Sequence, residues 1–113
     1  MIEPRLASGV MISAIKRMAE AQGDFATVLK KGDAISGAIL LIGQIRGANP
    51  RLFERYPSFD GRSGWQLLDF TGQNDSSVTD YWQKRRSNDP DLWVLELDVV
   101  SAARLDGLLA ALN

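Results

Sequence analysis

Apolar residues recur at i, i+3, i+4 and i+7 in two stretches of the chain. Met11, Ala14, Ile15 and Met18 form the first stripe, with Lys16, Arg17 and Glu20 lying off it. That spacing is one face of a helix, and Gly23 supplies a stop, so a helix is predicted from about Ser8 to Gln22. Leu105, Leu108, Leu109 and Leu112 form the second stripe, inside SAARLDGLLAALN at 101–113. Ser101 is placed to cap this helix, and Gly107 weakens it by about 1 kcal/mol relative to alanine.

Between the two stripes the period shortens to that of strands. DFATVLKK (24–31) sets Phe25, Thr27 and Leu29 on one face against Ala26 and Val28. AILLIGQI (38–45) is nearly all apolar, as expected of a strand buried on both faces. RLFERYP (51–57) alternates until Pro57, and GWQLLDF (64–70) is a shorter run preceded by the turn-forming FDGRSG (59–64). DLWVLELDVV (91–100) is the clearest strand. Trp93, Leu95, Leu97 and Val99 point one way, while Val94, Glu96 and Asp98 point the other.

A further helix follows the loop TGQNDSS (71–77). Ser77 and Asp80 have capping-box spacing, with Asp where Glu or Gln is usual. Val78, Tyr81, Trp82 and Arg85 then share one helical face, and SNDP (87–90) ends it. The order α-β-β-β-β-α-β-α predicts an α+β fold: an antiparallel sheet of about five strands, with helices mainly on one face. The first four strands, joined by short connections, read as a meander. No repeat, low-complexity tract or linker interrupts the chain, so 1–113 is read as a single domain.

Composition narrows the chemistry. A chain of 113 residues, 45% hydrophobic, is expected to bury roughly two-thirds of its unfolded surface and so to have a real core. A net charge of -1 gives no field drawing it to nucleic acid or to an anionic membrane. With no cysteine and no histidine, thiolate nucleophiles, serine triads and the usual zinc sites cannot be assembled from one chain. No cofactor and no metal are therefore expected. The apolar stretch VMISAI near the N-terminus is cut short by Lys16 and Arg17, too soon for a signal core, and no segment has the length of a membrane span. A cytoplasmic location without membrane contact is expected.

The candidate sites lie in loops and at the ends of elements. In LKKGDAISGAILLIG (29–43), Gly32, Gly37 and Ser36 suggest a phosphate loop, but neither the Walker nor the GxGxxG spacing is present. A strand follows where a helix N-terminus would be needed. The stretch is read instead as a β-hairpin bending at Gly32-Asp33. Glu96 and Asp98 place two carboxylates about 7 Å apart on one strand face, a pair able to bind a hard cation or to split into acid and base, or simply a half-solvated face. Lys84, Arg85 and Arg86 end the second helix, where cations complement its dipole. With Arg46, Arg51, Arg55 and Arg62 they would form a basic patch, although no RNA-binding signature accompanies them. Trp65, Trp82 and Trp93 are read as core anchors, or as an interface where one is exposed.

GDFATVLKKGDAISGAILLI followed by DPDLWVLELD resembles a family of small alphaproteobacterial proteins, about this length, known as a domain of unknown function. The resemblance is carried by Gly23, Gly32, Asp33, Gly37, Asp89, Pro90, Asp91, Leu92, Trp93 and Glu96. Ser36 stands where the family often has alanine, and the long C-terminal helix departs from the family pattern. It implies no activity, cofactor or catalytic residue. The expected function is a non-catalytic module that binds a protein partner or a second copy of itself, and a nucleic-acid role ranks last. The alternative is a small-ligand binder or enzyme working through carboxylates and arginines. No catalytic residue is assigned. The binding candidates are Lys31, Asp33, Trp82, Arg85, Arg86, Asp89, Asp91 and Glu96, on the expectation that the turn after the second helix lies near Gly32-Asp33.

Overall fold

The computed structural model describes residues 7–55, 64–68, 70 and 75–111. Among them the elements follow the expected order: α1 (Ser8–Ala21), β1 (Phe25–Lys30), β2 (Ile39–Ile45), β3 (Ala48–Arg55), β4 (Gln66–Leu68), α2 (Asp75–Asn88), β5 (Trp93–Val99) and α3 (Ala102–Ala111). The fold is α+β. Most of the turn expected at 59–64, most of the loop at 71–77, and Leu112 lie outside the described residues.

The strands form one sheet in the order β1-β5-β2-β3-β4. β5 enters between β1 and β2, antiparallel to the first and parallel to the second, while β2–β3 and β3–β4 are antiparallel. The sheet is thus mixed and mostly antiparallel, and the meander holds only from β2 to β4. The hairpin expected between β1 and β2 is corrected: residues 31–38 lead from one strand to the other across the end of β5. The physical reason lies in the strand patterns. Trp93, Val94, Leu95, Leu97 and Val99 are buried, as a central strand requires, whereas β1 alternates exposed and half-buried positions, as an edge allows.

A junction at the start of β5 holds it there. The Asp91 carbonyl oxygen sits so close to the loop that a Cβ on Gly32 would lie 2.1 Å from it, and one on Gly37 2.2 Å. The Asp33 N–H donates to this same oxygen at 2.9 Å, and the Trp93 indole N–H donates to the Asp33 carbonyl at 2.7 Å. The Trp93 backbone N–H reaches the Ala38 carbonyl at 2.9 Å. The loop also caps α1, which has no side-chain N-cap. Its Ile35 and Ala34 carbonyls accept the N–H groups of Ser8 and Gly9 at 3.2 and 2.8 Å, and the Ser8 hydroxyl donates to the Gly37 carbonyl at 2.5 Å.

A two-residue hairpin turn, Arg46-Gly47, joins β2 to β3. Both residues have positive φ, 51° and 74°, and Ile45 pairs with Ala48 across them. That is the pattern of a two-residue turn whose twist matches the strands. Asp98 on β5 accepts the Gly47 N–H at 2.9 Å and ties the turn to the centre of the sheet.

α1 and α3 cover one face, packing on Ile39, Leu41, Phe53, Trp93, Leu95, Leu97 and Val99. Among the described residues α2 is the helix that covers the other, with Val78 over Leu40, Ile42, Leu52 and Val94. Two of three helices therefore share a face, as expected. α3 packs on its own sheet because Gly43 leaves room for Leu105; a Cβ there would meet that side chain at 2.7 Å. Ser101 accepts the Arg104 N–H at 3.2 Å, as a cap should. Arg104 also bonds the buried Asp24 carboxylate at 2.9 Å and the Gln22 carbonyl at 3.2 Å, joining α3 to the end of α1. The capping box at Ser77 is corrected: α2 has already begun at Asp75, and Asp75, Ser76 and Ser77 are all cap-forming types between which spacing cannot choose.

Two glycine substitutions separate close approach from flexibility. Gly37→Ala drives a methyl into the Asp91 carbonyl and is expected to lower unfolding free energy by about 3 kcal/mol or more in a urea titration. Gly107→Ala meets nothing within 4 Å inside α3 and is expected to raise it by roughly 0.5–1 kcal/mol.

Candidate functional site

The candidate residues fall in three places. Lys31, Asp33, Arg86, Asp89 and Asp91 gather at the junction, so the end of α2 does lie beside Gly32-Asp33. The hydrogen bonds made there by the side chains of Asp33, Arg86 and Asp89 go to the chain itself. Asp33 accepts the N–H groups of Ile35 and Ser36 at 3.1 and 2.8 Å and the Ser36 hydroxyl at 3.2 Å. The Ser36 N–H above all, then that of Ile35, holds its carboxyl below the ordinary aspartate range. Asp89 accepts the Asp91 N–H at 3.1 Å, and Arg86 donates to the Lys31 carbonyl at 3.2 Å. What approaches the two glycines is thus the DPDLW segment of the same chain.

Arg85 points to the opposite flank of α2. It donates to Glu54 on β3 and, at 2.8 Å, to the Tyr81 hydroxyl. Glu54 is only 4% exposed, so this guanidinium neutralises an acid within the protein. Burial disfavours the charge on Arg85, but the bonds to Glu54 and Tyr81 outweigh that and push its pKa above the usual arginine value. The Phe70 ring meets Tyr81 edge-on at 5.5 Å and flanks the group. Glu54 is not among the residues singled out from the sequence. Its signal was available: an acid in step with Leu52 on an alternating strand faces inward and needs a partner.

Trp82 and Glu96 come together at a cavity of about 170 Å³ between the sheet and the first turns of α2. Glu96 on β5 and Ile42 and Gln44 on β2 form its sheet side. Val78, Thr79 and Trp82 form its helix side, with Leu29 and Pro50 contributed by the flanking strands. Among the described residues the Glu96 carboxylate has no hydrogen bond and no ion pair. Asp98, its neighbour on the same strand face, is engaged by the Gly47 N–H. Among the described residues no third acid joins them in a metal-holding group.

The outer edge of β1 is a further surface. β1 has one neighbour, β5, among the described strands. Phe25 is 72% exposed and Thr27 is exposed beside it, while Ala26 and Val28 turn toward the core under α1. The register with β5 breaks between Val28 and Lys30, which bulges the end of the strand.

The family described as "Protein of unknown function (DUF1491)" matches residues 6–105, ending inside α3. The chain is similar to a DUF1491 family protein from Caulobacter crescentus CB15 in its crystal structure, with 32% identity and a TM-score of 0.74 over 85% of this chain and 90% of that one. The NMR structure of a DUF1491 family protein from the same organism gives 32% identity and 0.73, over 86% and 88%. The solution structure of protein Atu0922 from A. tumefaciens gives 26% identity and 0.75, over 94% and 93%. No curated protein matches.

The Asp33 turn carries a pH signature. Because its folded pKa lies below 3.8, its contribution to stability is complete above that value and is lost as pH falls through the folded pKa. The stability advantage of wild type over Asp33→Ala, measured by urea unfolding, is expected to be constant near neutral pH and to shrink below pH 3.8.

Proposed function

The chain belongs to the DUF1491 family of proteins of unknown function, and from that premise we propose that it is a non-catalytic interaction module that pairs with a second copy of itself along the edge of β1. One observation carries this reading: β1 presents an open edge with Phe25 exposed, and its sequence complements itself when run antiparallel. In a register centred on Thr27, Phe25 lies beside Leu29 of the second copy and Ala26 beside Val28. Aromatic and aliphatic pairs of this kind stabilise antiparallel strands. The two Lys30-Lys31 pairs sit at opposite ends of this register, so no like charges meet. The bulge before Lys30 ends the ladder there. An edge of this kind is commonly blunted by proline or by several lysines, and Phe25–Val28 carries neither.

The module is read as cytoplasmic. The apolar VMISAI stretch belongs to α1, with Met11, Ile12 and Ile15 buried in the core. Among the described residues no helix is long and apolar enough to cross a membrane.

Sedimentation velocity tests the pairing. Wild type is expected to sediment as a dimer and the Phe25→Lys/Thr27→Lys double variant as a monomer with an unchanged circular dichroism spectrum, because both side chains are exposed. A wild type monomeric at every accessible concentration, or a double variant that remains dimeric, contradicts the proposal.

A further inference from the structure

We propose that the cavity under α2 binds an alkylammonium group, with the Glu96 carboxylate as its counter-ion and the Trp82 indole as its aromatic wall. Glu96 differs from the acids buried elsewhere in the fold. Asp24 is matched by Arg104, and Glu54 by Arg85. Glu96 sits half-buried on the central strand, between Thr27 of β1 and Ile42 of β2 in register, with no partner among the described residues. A carboxylate at the wall of a half-enclosed cavity, with no cation of its own chain beside it, attracts a cation that enters there. None of the other residues lining the cavity is basic. The charge that would complete the site is therefore positive and comes from outside the chain.

The walls specify the rest of the ligand. An indole face attracts an ammonium by roughly 0.5–2 kcal/mol, more as water is excluded. Gln44 and Thr79 offer neutral oxygens to the ammonium N–H groups, and Leu29, Ile42, Pro50 and Val78 match an alkyl stem. A volume of about 170 Å³ holds about six non-hydrogen atoms at the ~30 Å³ that a water occupies. That is the size of pentylammonium or of a lysine side chain. A carboxylate or phosphate ligand would be repelled by Glu96, and an alcohol would lose both the ion pair and the cation–π contact. The site is independent of β1 pairing, with which it shares only Leu29.

Titration of the full chain with pentylammonium chloride, read by amide chemical shifts and tryptophan fluorescence, tests the site. Saturable shifts are expected at Gln44, Thr79, Trp82 and Glu96. Glu96→Gln, which keeps shape and removes charge, is expected to weaken binding about tenfold or more. Trp82→Leu is expected to weaken it severalfold. 1-Pentanol and pentanoate serve as controls that need no variant, and neither is expected to saturate. N-acetyl-lysine amide distinguishes the source: if it binds beside pentylammonium, a partner's lysine fits the site, and if only pentylammonium binds, a free amine does. The proposal is overturned by 1-pentanol binding as tightly as pentylammonium, by unchanged affinity in Glu96→Gln, or by no saturable shift with pentylammonium.

Discussion

The seating of one carbonyl oxygen, that of Asp91, between Gly32 and Gly37 is the constraint on which the remaining structure depends. Neither glycine is needed for an unusual backbone angle; each is needed because no side-chain atom fits where it stands. With that oxygen in place, the Asp33 N–H and the Trp93 indole close a pair of hydrogen bonds across it, and β5 starts at the one point from which it can run between β1 and β2. The consequences spread outward. β5 lies parallel to β2, so the chain after β4 must return to the same end of the sheet, and α2 makes part of that return across the face opposite α1 and α3. The loop that receives Asp91 also supplies the carbonyls that cap α1.

The acidic residues divide accordingly. Asp24 and Glu54 are buried and matched by arginines from α3 and α2, so each ties a helix to the rest of the fold. Asp33, Asp89 and Asp98 bind backbone N–H groups and shape turns. Glu96 has no such task, and it lies where α2 leaves space over the sheet. Without histidine or cysteine, imidazole and thiolate chemistry cannot be assembled from this chain alone.

Much of the fold was legible in the sequence, because periodicity reports which face of an element is buried. The stripe Met11, Ile15 and the alternation Trp93, Leu95, Leu97, Val99 each placed the right residues in the core. Partner choice was not legible. The β1 and β2 patterns suit a hairpin as well as they suit two strands with a third between them, and the deciding contact joins residues about sixty positions apart in the chain. Arg46-Gly47 was missed as a turn because arginine is an unusual residue to hold at positive φ. The candidate residues were legible as a neighbourhood and not as a site. Asp33, Asp89 and Asp91 do lie together, as their place beside turns suggested, but they meet one another's backbone. Trp82 and Glu96 were picked for separate reasons, and only the packing of α2 on β5 brings them to one cavity.

Native-state hydrogen exchange of the Asp33 amide and the Trp93 indole proton tests the Asp91 junction most directly. If the junction holds β5 in place, both protons exchange only through global unfolding, with the same opening free energy as the backbone amides of β5. Faster exchange of these two protons through local opening, while the β5 amides stay protected, would contradict it.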